Sequence, residues 1–303
     1  MNFIQNAKSF CHLTLGINMV EQHRAQQNEL PQELTANTNG DQFFKYYAEA
    51  SKTEETRERF LRLRDMLLRV MKQQSLPVGN AEVADIGCGA GTQAFLWAEL
   101  GFRIFGVDSN QALIQLAQRR AAEIGFDVDF SAGTAEDLPW TDKSMDVCLA
   151  IELLEHVPKW QECLKEFDRV LKPGGILCVT TTNKLCPVQH EFKLPLYSWY
   201  PAPIKRYYER IATSKRPELV NHAKFPAVNW FSYFSLRKAL RALGFETLDR
   251  FDVNNTQNRK GLPRYVLLAI QNIPFLRWLA HVFVQGTLVV AIKGKTHHVQ
   301  KID

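Results

Sequence analysis

The chain has 303 residues, 46% hydrophobic and 23% charged, with 37 Lys and Arg against 32 Asp and Glu for a net charge of +5. That length allows one large domain, or one domain with insertions, and the apolar content is ample for a core. No uncharged apolar run reaches the length of a membrane span, and six scattered cysteines without a C-x-x-C pair suit a reducing cytoplasm rather than a disulfide scaffold.

Residues 1–40 begin with a short amphipathic patch interrupted by Lys8 and His12 and continue rich in Gln, Asn and Thr. They predict a loosely held arm without a cleavable signal. Residues 41–79 predict a helical cover: Phe43, Phe44, Tyr46 and Tyr47 open a helix, and residues 54–74 place Phe60, Leu63, Leu67, Leu68 and Met71 at helical spacing. A Pro-Val-Gly-Asn break at 77–80 ends it. Strand and helix then alternate: strand 81–86, helix 91–100, strand 102–107, helix 110–124, strand 127–131, strand 145–150, helix 159–170 and strand 175–182. Alternation with short loops predicts right-handed βαβ units and a mostly parallel sheet.

The most informative segment is Val83-Ala84-Asp85-Ile86-Gly87-Cys88-Gly89-Ala90-Gly91-Thr92. Apolar residues run into an acid, three glycines alternate, and a helix follows. Glycine lets the backbone turn tightly and approach a ligand with no Cβ in the way. A strand-to-helix turn of this kind is the usual ligand crevice of an open α/β sheet. Asp108 ends the next apolar run, at the distance from Gly87 where an acid can take the two hydroxyls of a ribose. The spacing G-x-G-x-G differs from the dinucleotide fingerprint G-x-G-x-x-G, which disfavours a nicotinamide dehydrogenase. An acid ahead of the turn suits a cationic ligand such as an amino acid ammonium.

Further motifs follow in order. They are Gly133-Thr134-Ala135-Glu136-Asp137-Leu138-Pro139, then Met145-Asp146-Val147-Cys148-Leu149-Ala150, then Leu171-Lys172-Pro173-Gly174-Gly175-Ile176-Leu177. Together with the glycine turn they span about residues 80–182. This set resembles the class I S-adenosylmethionine-dependent methyltransferases, and Glu152-Leu153-Leu154-Glu155-His156-Val157 most resembles their ubiquinone-biosynthesis O-methyltransferases. The resemblance implies a Rossmann-like α/β fold, with a seven-stranded, mostly parallel sheet, helices on both faces, and an antiparallel strand 6–7 hairpin at the edge. It implies S-adenosylmethionine as cofactor, contacted by Asp85, Gly87, Cys88, Gly89, Gly91, Asp108 and Ser109. An acid after strand 3 would reach the adenine amino group, Asp137 or its neighbour Glu136, and Ile151 would wall the site. A catalytically silent cofactor-binding subunit is a further reading, against which the intact glycines and acids argue.

His156 has two readings. One is a general base that deprotonates an acceptor hydroxyl, work that imidazole suits at neutral pH. The other is a histidine capping a helix near Pro158. If the segment is helical, Glu152, Glu155 and His156 share one face and could hold a divalent metal, Mg or Zn, with His190 or His222 as further donors.

The rhythm stops at Asn183. The methyltransferase domain is expected over 80–295, with insertions 183–229 and 254–286 forming an acceptor cap and a tail at 296–303. The first insertion is rich in Pro and aromatics, and a basic, helical-looking stretch follows at 204–212. Tyr197, Trp199, Tyr200, Tyr207, Tyr208, Trp230 and Phe231 read either as the core of a cap or as the wall of an apolar acceptor pocket. Helix 232–243, strand 246–252 and strand 287–292 complete the sheet. The acceptor implied is a small molecule, phenolic and quinone-like or lipid-linked, with a sugar hydroxyl of a lipid-linked glycan as rival. No N/D-P-P-Y/F tetrapeptide follows strand 4, so nucleic acid is not expected as substrate. Residues 184–303 hold ten Lys and nine Arg against seven acids, a net +12. Residues 265–284 are apolar but broken by Gln271, Pro274, Arg277 and His281. They read either as a helix pair packed on the cap or as an amphipathic element touching an anionic membrane surface. A cytoplasmic protein, peripheral on the inner membrane face, is the corresponding expectation.

Overall fold

The computed structural model describes residues 53–188, 192–220, 227–254 and 260–294. The N-terminal arm, the aromatic start of the cover, the tail, His190 and His222 lie outside the described residues.

A seven-stranded sheet runs in the order β3-β2-β1-β4-β5-β7-β6. Its strands are β1 (Glu82–Ile86), β2 (Arg103–Asp108), β3 (Val128–Ala132), β4 (Met145–Ile151), β5 (Leu171–Thr182), β6 (Phe245–Asp249) and β7 (Gly286–Lys293). β1 to β5 pair in parallel, and β7 is antiparallel to both β5 and β6. This is the Rossmann-like class I architecture, with the antiparallel edge pair in place.

Period-two alternation divides the strands between two cores. Ala84, Ile86, Cys148, Ala150, Leu177, Val179, Val289 and Ala291 face one side. There they meet α4 (Trp160–Val170) and α6 (Tyr233–Ala242). Val83, Val147, Leu149, Ile176, Cys178, Val290 and Ile292 face the other. There they meet α1 (Glu54–Gln73), α2 (Thr92–Ala98) and α3 (Gln111–Ile124). Strands covered on both faces read as continuous apolar runs, and β4 is buried from Met145 to Ala150.

Local chemistry sets the boundaries. Asn110 caps α3 by accepting from Ala112 and Leu113 N–H at 3.0 and 3.3 Å, and Gly125 at φ +74° closes it. β5 starts four residues earlier than the sequence predicts. The register slips between Met145↔Leu171 and Val147↔Ile176, so Lys172-Pro173-Gly174-Gly175 is a bulge inside the strand, not a turn before it. Lys172 Nζ donates to Asp146 at 2.8 Å and Glu82 at 3.0 Å, tying β5 to β4 and β1. β6 ends earlier than expected because the Asp249 carboxylate accepts from Phe251 N–H at 2.7 Å and Asp252 N–H at 3.0 Å, turning the chain away.

The first insertion carries α5 (Ala202–Ser214) and its own small core of Phe192, Tyr197, Ala212, Leu219 and Val220. The second carries α7 (Leu262–Asn272) and α8 (Pro274–Phe283), bent by 109° to each other. No single described helix is long and apolar enough to cross a membrane. Five of the six cysteines, all but Cys11, are described, and each is buried.

Candidate active site

The site begins where β1 gives way to α2. Gly87 and Cys88 N–H both donate to Val107 O, at 2.8 and 3.1 Å, which folds the turn against the end of β2. Gly87, Gly89 and Gly91 sit at φ +76°, +53° and +83°, a region that side-chain-bearing residues avoid. At Gly91 room is lacking as well: a Cβ would lie 2.8 Å from the Phe95 ring and 2.9 Å from Phe130.

Asp108 at the tip of β2 accepts from Gly89 N–H at 2.9 Å through one oxygen and from Asn110 N–H at 2.8 Å through the other. Burial raises its pKa, and those two bonds oppose the rise. Asp85, in β1, is 4% exposed, and its Oδ2 has no hydrogen-bond partner. Burial first, then the nearby Asp108 charge, pushes its carboxyl up to about 7.

A cavity of about 1040 Å³ opens at this C-terminal edge of the sheet. Of the residues the sequence singles out, Gly87, Asp108, Ser109, Glu136 and His156 line it. Asp85, Cys88, Gly89, Gly91, Asp137 and Ile151 are not in its wall among the described residues. Cys88 is 8% exposed and packs toward Gly106, whose missing Cβ would lie 3.1 Å from its Sγ. Ile151 packs against the core on the α1–α3 side. Of the two acids after β3, Glu136 is in the wall. Asp137 is exposed and its backbone bridges to Thr134.

Residues 152–157 form a turn, not a helix, so the shared face that would gather Glu152, Glu155 and His156 does not form. Glu152 sits at φ +53°, exposed, and is ion-paired with Arg59 of α1. Glu155 is fully buried, and its carbonyl accepts from Val228 and Asn229 N–H at 2.8 and 3.1 Å. No group of three or more metal-ligating side chains occurs among the described residues. His156 does not cap α4, whose first turn has no side-chain cap. It borders the cavity, and its Nδ1 is buried with no hydrogen-bond partner. The Asn229 side chain holds the turn in place through Leu154 O at 2.9 Å and Val157 O at 2.6 Å.

Of the aromatics Tyr197, Trp199, Tyr200, Tyr207, Tyr208, Trp230 and Phe231, expected as cap core or acceptor wall, none is in the cavity wall among the described residues. Tyr197, Tyr200, Tyr208 and Trp230 pack in the small core of the insertion. Pro203, Arg206, Glu209 and Arg210 of α5, with Val228, also line the cavity. The run of basic residues at 204–212 was the available signal; which of them face the site depends on how α5 docks. Burial raises the Glu209 carboxyl, opposed by Lys205 and Arg206. Gln93, two residues past Gly91, is also buried with both side-chain polar atoms unpartnered, and no motif in the sequence marks it. Among the described residues, the first insertion contributes to the wall and the second does not.

Comparison with known proteins accords with this geometry. Residues 84–179 match the model of the methyltransferase domain family, and the sheet continues beyond them in the class I order. Residues 84–179 therefore form a methyltransferase domain, set in a sheet of the class I order. The chain is similar to ubiquinone biosynthesis O-methyltransferases. The enzyme of Caulobacter vibrioides is 38% identical over 109 residues, 36% of this chain and 43% of that protein. That of Maricaulis maris is 32% identical over 146 residues, 46% of this chain and 56% of that protein. The chain thus spans about half the length of the curated relatives it matches. Among solved structures, a chain of the complex between the Haloferax volcanii Trm112 methyltransferase activator and a candidate methyltransferase superposes with a TM-score of 0.50. It is 20% identical, covering 85% of this chain and 98% of that one. That likeness concerns the fold alone.

The residues present fit S-adenosylmethionine. The glycine turn leaves room for a ligand against the backbone, and Asp108 borders the cavity with a carboxylate. Asp85 keeps an unpartnered buried oxygen close to the turn, a group that a ligand cation would complement.

Proposed function

We propose that the chain transfers a methyl group from S-adenosylmethionine to an oxygen of a phenolic, quinone-like or lipid-linked small molecule. The observation that carries this reading is that Asp108, Glu136, His156 and Arg206 line one cavity. Asp108 would hold the ribose hydroxyls and Glu136 the adenine. Asp85 would face the ammonium, directly or through water. The bound cofactor supplies a methyl group on a sulfonium that is already a good leaving group. The protein therefore contributes chiefly position, bringing an acceptor oxygen into line. His156, with its unpartnered Nδ1, would take the hydroxyl proton as the oxygen attacks.

The O-methyltransferase relatives support an oxygen acceptor. Arg206 and Arg210 line the same cavity, with Glu209 between them; the two guanidinium groups would suit a substrate bearing an anionic group, such as a lipid-linked phosphate. The deciding experiment is metabolite and lipid profiling of a deletion strain. It is expected to reveal a species lighter by one methylene that purified protein converts in the presence of S-adenosylmethionine. Conversion at nitrogen or carbon would refute the oxygen assignment.

A further inference from the structure

The second insertion is left without a task by the cavity. Its two helices have 11 and 10 residues. Each is too short to span a bilayer, which needs about 20, and their 109° bend prevents one continuous rod. The inward side is settled: Leu267, Ile270 and Ala280 pack with Phe251, while Arg277 and His281 bond to Asp249 of β6 at 2.8 and 2.7 Å.

The outward side is not what a solvated surface requires. Leu262, Tyr265, Ile273, Phe275 and Trp278 are 72, 69, 46, 65 and 49% exposed. Phe275 and Trp278 stack on each other with centroids 6.2 Å apart. Neither helix contains an acidic residue. Lys260 and Arg264 flank the start of the pair. Arg237 lies over the Tyr233 ring, which in turn stacks on His281 at 4.3 Å. Apolar and aromatic side chains rimmed by cations, on helices too short to span, form the pattern of an interfacial element. A second copy of this chain is a poor occupant, since two such rims would set cation against cation.

The helix pair is also joined to the cap. Asn183 Nδ2 donates to His281 O at 2.6 Å and Val284 O at 2.7 Å, and Cys186 Sγ to Phe283 O at 3.6 Å. Trp199, 57% exposed, donates to Leu185 O at 3.0 Å. The root of the acceptor cap is thus fastened to the end of α8.

We propose that the bent α7–α8 pair rests this protein on an anionic bilayer. Leu262, Tyr265, Ile273, Phe275 and Trp278 enter the headgroup boundary, and Lys260 and Arg264 pair with lipid phosphates. The test is co-sedimentation of the full chain with vesicles of phosphatidylcholine alone, or with roughly a third phosphatidylglycerol added. Binding to the anionic vesicles, but not the neutral ones, is expected at low salt, with release at high salt. Phe275→Ser with Trp278→Ser is expected to lower the bound fraction about tenfold. Its affinity for S-adenosylhomocysteine should be unchanged, which certifies the fold. Protein left wholly in the supernatant with anionic vesicles at low salt would overturn the proposal. So would binding indifferent to the double substitution, or a solution dimer that the same substitutions dissociate.

Discussion

Asp108 Oδ2 accepts the Gly89 N–H at 2.9 Å, so the acid at the end of β2 also holds the middle of the glycine turn. One carboxylate thus ties the end of β2 to the glycine turn. Asp108→Ala is expected to weaken S-adenosylmethionine and S-adenosylhomocysteine by about 1–3 kcal/mol, the loss of charge-assisted contacts. Asp108→Asn keeps one acceptor for Gly89 and should lose less. Calorimetric titration measures both; unchanged affinity in a folded Asp108→Ala protein would remove the ribose assignment.

Asp85 makes the ligand-free protein sensitive to pH. Its carboxyl is raised from 3.8 to about 7 when folded, by burial and by Asp108. From about pH 4 to about pH 7 the folded state therefore holds a proton that the unfolded state has lost. Stability falls as pH rises through that window, and the full cost persists above it. Asp85→Asn should flatten this fall and stabilise the ligand-free protein at about pH 8. A ligand ammonium near Asp85 favours the ionised form, so binding at about pH 6 should release a proton. Titration in two buffers of different ionisation enthalpy reads that proton. Equal heats in both would dissociate Asp85 from the ligand.

The sheet was legible in the sequence because each strand of the first half carries its own local signal, an apolar run closed by glycine or an acid. Asp108 could be placed from spacing alone. The start of β5 could not, because Lys172-Pro173-Gly174-Gly175 reads as a turn. What keeps it in the strand is the reach of Lys172 to Asp146 and Glu82, both far away in sequence. The Glu152–His156 segment misled in the same way. Its helical spacing is real, but the Arg59 pair and the Asn229 clasp hold it as a turn. Arg206 and Arg210 were hidden among other basic residues until α5 was docked.

Those contacts bear on catalysis. Glu152 is drawn toward Arg59, and Glu155 is enclosed beneath Val228 and Asn229. Turnover is therefore expected to survive a chelator. His156→Ala should lower kcat by about 10²–10⁴-fold, the span of general base catalysis, while cofactor affinity stays within error. A mutant with normal turnover would leave His156 a wall residue. Loss of activity in chelator, restored by Mg or Zn, would return the metal reading to this turn.

The last prediction concerns how the second insertion is fastened. Asp249 is fully buried at the end of β6. Burial alone would raise its carboxyl, but the hydrogen bonds from His281 and Arg277 prevail and hold it well below the usual range. The linkage therefore runs opposite to that of Asp85. Above the unfolded value near pH 4 both states are ionised and the stabilisation is complete. As pH falls toward the folded value, the native state resists a proton that the unfolded state accepts, and the stabilisation is lost. Asp249→Ala also leaves Phe251 and Asp252 N–H without their acceptor, so it should cost about 3 kcal/mol at neutral pH. Urea unfolding at neutral and acidic pH should find the gap between the variant and the parent narrowing below about pH 4. Hydrogen exchange should detect the first loss of protection in α8, since Arg277 and His281 anchor that helix. A gap independent of pH would mean that the loss arises from the turn rather than from the buried charge.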